Sequence, residues 1–215
     1  DPSLDEGNEA AAAQAGGREG PSEGHAEGDV GAEDFLGEQA GGFPEAQGLN
    51  LRDRNELLRG YVDVALLRDV VERHAVSHPV ALRWMVRQLL GNAAGSFSVN
   101  KFHGDLKSQG IAVAKDTLHS YLGYLEDAFL VRMVPIATDS ERRRMVNPRK
   151  VYPIDPGLIP LFDRSAKANL GHALETCVLL ELDRRGAEAG YVRTAEGYEV
   201  DFLARYPARG EEGEC

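Results

Sequence analysis

The chain has 215 residues, 42% of them hydrophobic, with 35 acidic and 24 basic side chains and a formal net charge of −11. That length suits one or two domains and supplies enough apolar material for a core. No run nears the roughly 18–20 apolar residues of a membrane span, so a cytoplasmic protein with no membrane partner is expected.

The start, DPSLDEGNEA, has neither the basic end nor the apolar stretch of a signal peptide, and it lacks an initiator Met, which points to a processed, cloned or partial product. The charge is uneven. Residues 1–48 hold twelve acids and a single base, Arg18, and the remaining residues balance at 23 acids and 23 bases. Residues 1–33 are rich in Gly, Ala and Glu. A stretch so poor in large apolar groups cannot offset its ordering entropy, which predicts a disordered acidic tail over about 1–40. Phe35, Leu36 and Phe43 then bring in apolar character, and Gly41-Gly42 before Phe43-Pro44 signals a turn.

Over 53–74, Leu57, Leu58, Tyr61, Val64, Ala65, Leu67, Val70 and Val71 recur at helical spacing, as one helix or two joined ones. Ser77 is the expected N-cap of the next helix, with Pro79 in its first turn and Leu82, Met85, Val86, Leu89 and Leu90 as its apolar stripe. Ser98 caps a short helix carrying Phe102 and Leu106, which Gly110 stops. A third helix is expected at about 114–128. Its stripe Leu118, Tyr121, Leu122 and Leu125 faces inward and leaves Lys115, Thr117, His119, Ser120 and Tyr124 on the other side.

Residues 130–135 and 149–154 read as strands around a basic turn at 138–149 that holds Arg142, Arg143, Arg144 and Arg149. Helix, helix, turn, helix, strand, basic turn, strand is the order of a winged helix-turn-helix, placed over 80–156. In such a module a helix enters the major groove and a basic wing reaches phosphates. Lys115, Thr117, His119, Ser120, Arg142, Arg143, Arg144, Arg149 and Lys150 are therefore the candidate nucleic-acid contacts, with double-stranded DNA as the candidate ligand. The excess charge is modest, eleven bases against seven acids over 83–155, and Lys115 is the one formal cation on the outward helix side. A role in protein contact or regulation stands beside DNA binding.

Residues 157–215 change character. A helix over GHALETCVLLELDRRG would bury Leu174, Cys177, Val178 and Leu182, and a strand, a Gly197 turn and a second strand follow. Cys177 and Cys215 form no CxxC or zinc spacing and read as reduced thiols, Cys177 as core packing. Glu175, Glu199 and Asp201 are the weak carboxylate candidates for metal-assisted chemistry. No GxxxxGK[ST] loop occurs, so no phosphate-cradling loop is expected, and no cofactor or metal is expected either. The fold class is mainly α with small β: a winged helix-turn-helix followed by an incomplete α/β segment with an unpaired sheet edge.

Taken in order, GGFPE at 41–45, YVDVALLRDVVERH at 61–74, FSVNKFHGDLKSQGIAVAKDTLHSYLGYLEDAFLVRMVPI at 97–136, KVYPIDPGL at 150–158, GHALETCVLLELDRRG at 171–186 and EVDFL at 199–203 carry a family resemblance. They resemble the C-terminal half of a bacterial and archaeal AAA-type ATPase family, in which a P-loop core precedes a domain of unknown function. The resemblance implies a winged helix joined to a PD-(D/E)xK nuclease-like fold. Residues 41–79 would be an ATPase-lid remnant with linking helices, and GGFPE the last trace of the ATPase portion. Glu175 and Asp201 would match the helix glutamate and strand aspartate of the nuclease-like fold. The P-loop core and the strand bearing the final acid-x-Lys pair are missing here. The expected function is thus a non-catalytic ATPase fragment whose winged helix contacts DNA, a protein partner or the ATPase core. A metal-dependent nuclease and a truncated product without independent activity are the alternatives.

Overall fold

A computed structural model describes residues 41–163 and 170–206, so the predicted tail over 1–40 and Cys215 lie outside the described residues. Helix α1 (Leu51–Val64) starts at Asn50, whose side chain accepts the Asp53 backbone N–H and satisfies one of the orphan donors of a helix start. It runs on as a π-helical stretch, Ala65–Glu72, so the segment expected as one helix or two joined ones is one continuous rod with a wider second half. Helix α2 (Pro79–Leu90) buries Leu82, Met85, Val86, Leu89 and Leu90 as the spacing predicts. Its N-cap is His78 rather than Ser77, and it makes no side-chain cap hydrogen bond. The Tyr121 hydroxyl instead accepts the His78 backbone N–H at 3.0 Å.

A two-residue strand β1 (Ser96–Phe97) follows, too short to be seen as a pattern in sequence. Helix α3 (Val99–Ser108) is capped by Ser98, whose hydroxyl accepts the Lys101 N–H. Gly110 then takes a φ of 75°, a left-handed conformation that glycine adopts without a Cβ penalty. Helix α4 (Lys115–Asp127) buries Leu118, Tyr121, Leu122 and Leu125. Strands β2 (Val131–Val134) and β3 (Arg149–Pro153) pair antiparallel, Arg132 opposite Tyr152, and β1 adds to the far edge of β3. The sheet order is β1-β3-β2. The segment expected as a basic turn contains a short helix, α5 (Glu141–Val146), because Ser140 caps it by accepting the Arg143 N–H.

Helices α1 to α4 and one face of this sheet share a core that includes Leu58, Val70, Leu82, Met85, Leu118 and Val131. Each fully buried leucine in it contributes about 1.5–3 kcal/mol by leaving water. A short helix α6 (Ile159–Phe162) leads to helix α7 (Leu170–Arg184) and the antiparallel hairpin β4 (Glu188–Arg193) and β5 (Glu199–Arg205). The mainly helical architecture with small antiparallel strands is the expected fold class in its coarse form.

The hairpin does not stand apart from the sheet. Residues just after β2 bridge to β4 in parallel: Tyr191 donates its backbone N–H to Pro135 O, and Ala137 donates to Tyr191 O. A second core of Val134, Ile136, Tyr152, Leu179 and Tyr191 fills the junction. The expected boundary at 156/157 is therefore crossed by packing and backbone hydrogen bonds. Among the described residues β5 pairs with β4 alone, which leaves the predicted unpaired edge.

Helix α7 shows the opposite face to the one expected. It buries Ala173, Thr176 and Leu179, whereas Leu174 and Val178 are exposed. Cys177 is exposed, not core. The helix is apolar on more than one side. Hydrophobic spacing alone does not choose between two such faces.

Candidate nucleic-acid interface and an adjoining ion cluster

The outward side of α4 is set by its core stripe. With Leu118, Tyr121, Leu122 and Leu125 inward, Lys115, His119 and Ser120 are exposed and Thr117 is half-buried. Tyr124 does not share that open surface. Its ring stacks on His74 of the preceding helical rod, centroids 3.7 Å apart. At the other end of α4, the half-buried Glu126 accepts the Met133 N–H at 3.1 Å. Burial raises its pKa, and that hydrogen bond and the charges of Arg149 and Arg132 partly oppose the rise.

Arg142, Arg143 and Arg144 lie on α5 between β2 and β3, and all three are exposed, as is Arg149 at the start of β3. None of these four makes an ion pair among the described residues, so each guanidinium is available to solvent or a phosphate. The helix concentrates three of the charges within one turn, which the turn reading did not anticipate.

Lys150 is placed differently from the other candidate contacts. It is the residue after Arg149, so strand alternation turns it to the other face of β3. Its side chain is 5% exposed, and its amine lies 2.6 Å from Glu199 Oε1, 2.7 Å from Asp201 Oδ1 and 3.9 Å from Glu175 Oε2. Two residues along the strand, on the same face, Tyr152 is fully buried and donates its hydroxyl to Glu175 Oε2 at 3.0 Å. Burial on its own would push the Lys150 pKa down. Hydrogen bonds and charge from Asp201 and Glu199 outweigh it and hold the amine above its ordinary value. Burial, then the Glu175 carboxylate, pushes the Tyr152 phenol far up, so it stays a donor.

The two carboxylates that the family resemblance singled out, Glu175 and Asp201, are thus brought together from α7 and β5, with Glu199 beside them. Sequence reading weighed all three acids but missed their partner, because Lys150 lies on a distant strand. The donor set does not suit a metal ion in this arrangement. The ammonium occupies the space that a hard cation would have to take, and among the described residues no group of three His, Cys, Asp or Glu side chains could hold a metal.

Residues 39–167 match the family described as a domain of unknown function, DUF8612, and the chain belongs to that family. It is similar to the uncharacterized protein MJ1544 of Methanocaldococcus jannaschii, 33% identical over 168 residues that cover 76% of this chain and 37% of that protein. It is also similar to an uncharacterized protein of Haemophilus influenzae, 27% identical over 168 residues that cover 78% of this chain and 42% of that protein. The chain therefore spans about two fifths of the length of these curated relatives. No solved structure matches it. No helix among the described residues is long and apolar enough to cross a membrane.

Proposed function

We propose that residues 80–156 form a winged helix that binds double-stranded DNA, with α4 as the helix offered to the major groove and α5 as a basic wing on the phosphates. The observation that carries this reading is the exposed, unpaired set Arg142, Arg143 and Arg144 between two antiparallel strands. The order α2, β1, α3, α4, β2, β3, with β1 returning to pair with β3, supports the same assignment. The face of α4 is short of cations, so phosphate contacts supply most of the affinity and little base discrimination.

On this reading the C-terminal segment is a nuclease-like fold that works as a non-catalytic prop. Its carboxylates are spent on Lys150, and no hydrolytic step is derived through them. On the same reading the unit is an appendage of an ATPase core. Titration of a labelled DNA duplex at low and moderate salt tests the proposal: binding at low salt that weakens with added salt is expected, and no binding even at low salt removes it.

A second reading, contact with a protein, is favoured by the exposed apolar stripe Leu170, Leu174 and Val178 on α7. Such a stripe serves an interface better than it serves water.

A further inference from the structure

Helix α5 ends in two apolar side chains that it does not bury. Met145 is 75% exposed, more than any other large hydrophobic among the described residues, and Val146 is 68% exposed. They follow directly on Arg142, Arg143 and Arg144. Residues three and four apart on a helix are neighbours, so Arg142, Met145 and Val146 share one face.

Local hydrogen bonds hold this face in place. At the start of the helix Ser140 accepts the Arg143 N–H. At its end Asn147 donates its backbone N–H at 3.1 Å and its side-chain amide at 2.7 Å to Arg143 O. Pro148 forbids a further turn and keeps Asn147 extended, at a ψ of 149°. An apolar pair fixed in water beside unpaired guanidiniums suits a surface that is apolar within and anionic at its rims. A protein pocket would cover the pair and leave the charges unanswered unless it were strongly acidic. A duplex groove, with sugars and base edges between two phosphate rows, answers both.

Resting on the reading that this wing binds DNA, we infer that Met145 and Val146 form a wedge that enters the minor groove and bends the duplex. A helix about 10–12 Å across is too wide for a groove about 6 Å wide, so the side chains alone enter. The arginines stay on the phosphates beside them. Parting a base step costs stacking, least at the flexible pyrimidine–purine steps. A narrow A·T-rich groove also carries the more negative potential, which draws the guanidiniums. The wing thereby prefers A·T-rich sequence through shape, without base contacts from α4.

Two end-labelled duplexes of about 20 base pairs, one A·T-rich with a central TA step and one G·C-rich, test the wedge by affinity and by energy transfer between the ends. The full chain is expected to bind the first about tenfold tighter and to shorten its end-to-end distance. Met145→Ser with Val146→Ser is expected to lose the bend and the preference while keeping the parent's salt slope, since all three arginines remain. Both side chains are exposed, so the variant should keep the parent's urea midpoint. A duplex that is bound yet stays straight overturns the wedge and leaves DNA binding standing. So does a double variant that bends the duplex as the parent does. No binding at low salt overturns both.

Discussion

The amine of Lys150 lies 2.7 Å from Asp201 Oδ1, joining a strand of the three-stranded sheet to the last described strand of the chain, 51 residues away in sequence. With Glu199 and Glu175 around the same amine, this contact fastens the hairpin to the sheet beside the second core. It makes the C-terminal segment part of the same folded unit as the helices before it.

Removing the amine leaves three carboxylates facing one another. Lys150→Met should destabilise the fold by about 2 kcal/mol in urea denaturation. That is less than the roughly 3–5 kcal/mol of breaking a fully buried pair, because the Asp201 side chain is 49% exposed and water relieves part of the repulsion. An unchanged midpoint would mean the cluster holds nothing together.

The same amine sets an alkaline limit. Its folded pKa is raised above the ordinary value of 10.5, so the folded state binds this proton more tightly than the unfolded chain does. The stability it contributes is complete below the unfolded pKa and is lost as pH rises through the folded one. Tyr152, also raised, loses stability in the same direction. Denaturation midpoints should therefore fall above about pH 10. The fall should be shallower in Lys150→Met, where the raised tyrosines Tyr152 and Tyr191 remain without the amine.

Gly41 is held at a φ of +74°, and a Cβ there would clash with the Asp155 carboxylate. Gly41→Ala should cost about 2 kcal/mol or more, as the residue must leave its conformation and break the hydrogen bond from Gly42 N to Asp155. Thermal unfolding measures the loss. Gly48, also at positive φ but with open space around it, should lose only the smaller conformational share on the same change.

Much of the helical half is legible in sequence because single-sided helices announce their buried face. The stripe Leu118, Tyr121, Leu122 and Leu125 and the cap and stop of α3 at Ser98 and Gly110 follow from 3.6-residue spacing and local hydrogen bonding. Helix α5 was hidden because its six residues include three arginines and bury nothing, so no period marks it. Strand β1 was hidden by its length of two residues. The wrong face of α7 and the misplaced Cys177 share one cause: a helix apolar on two sides needs its neighbours to decide. The three acids of the ion cluster were visible as residue types. Their engagement by Lys150 depends on β3 and β5 meeting, which no local pattern encodes.

The salt dependence of DNA affinity tests the central claim most directly. Log affinity for a duplex should fall linearly with log salt concentration, with a slope of about −0.9 per phosphate neutralised. Replacing Arg142, Arg143 and Arg144 with Ala should weaken binding and flatten that slope by about 2.7, three contacts' worth. Lys150→Met should leave the slope unchanged, since its amine faces carboxylates and not solvent. A wild-type chain that does not bind the duplex at low salt, or a triple variant with the parent's slope, would contradict the account.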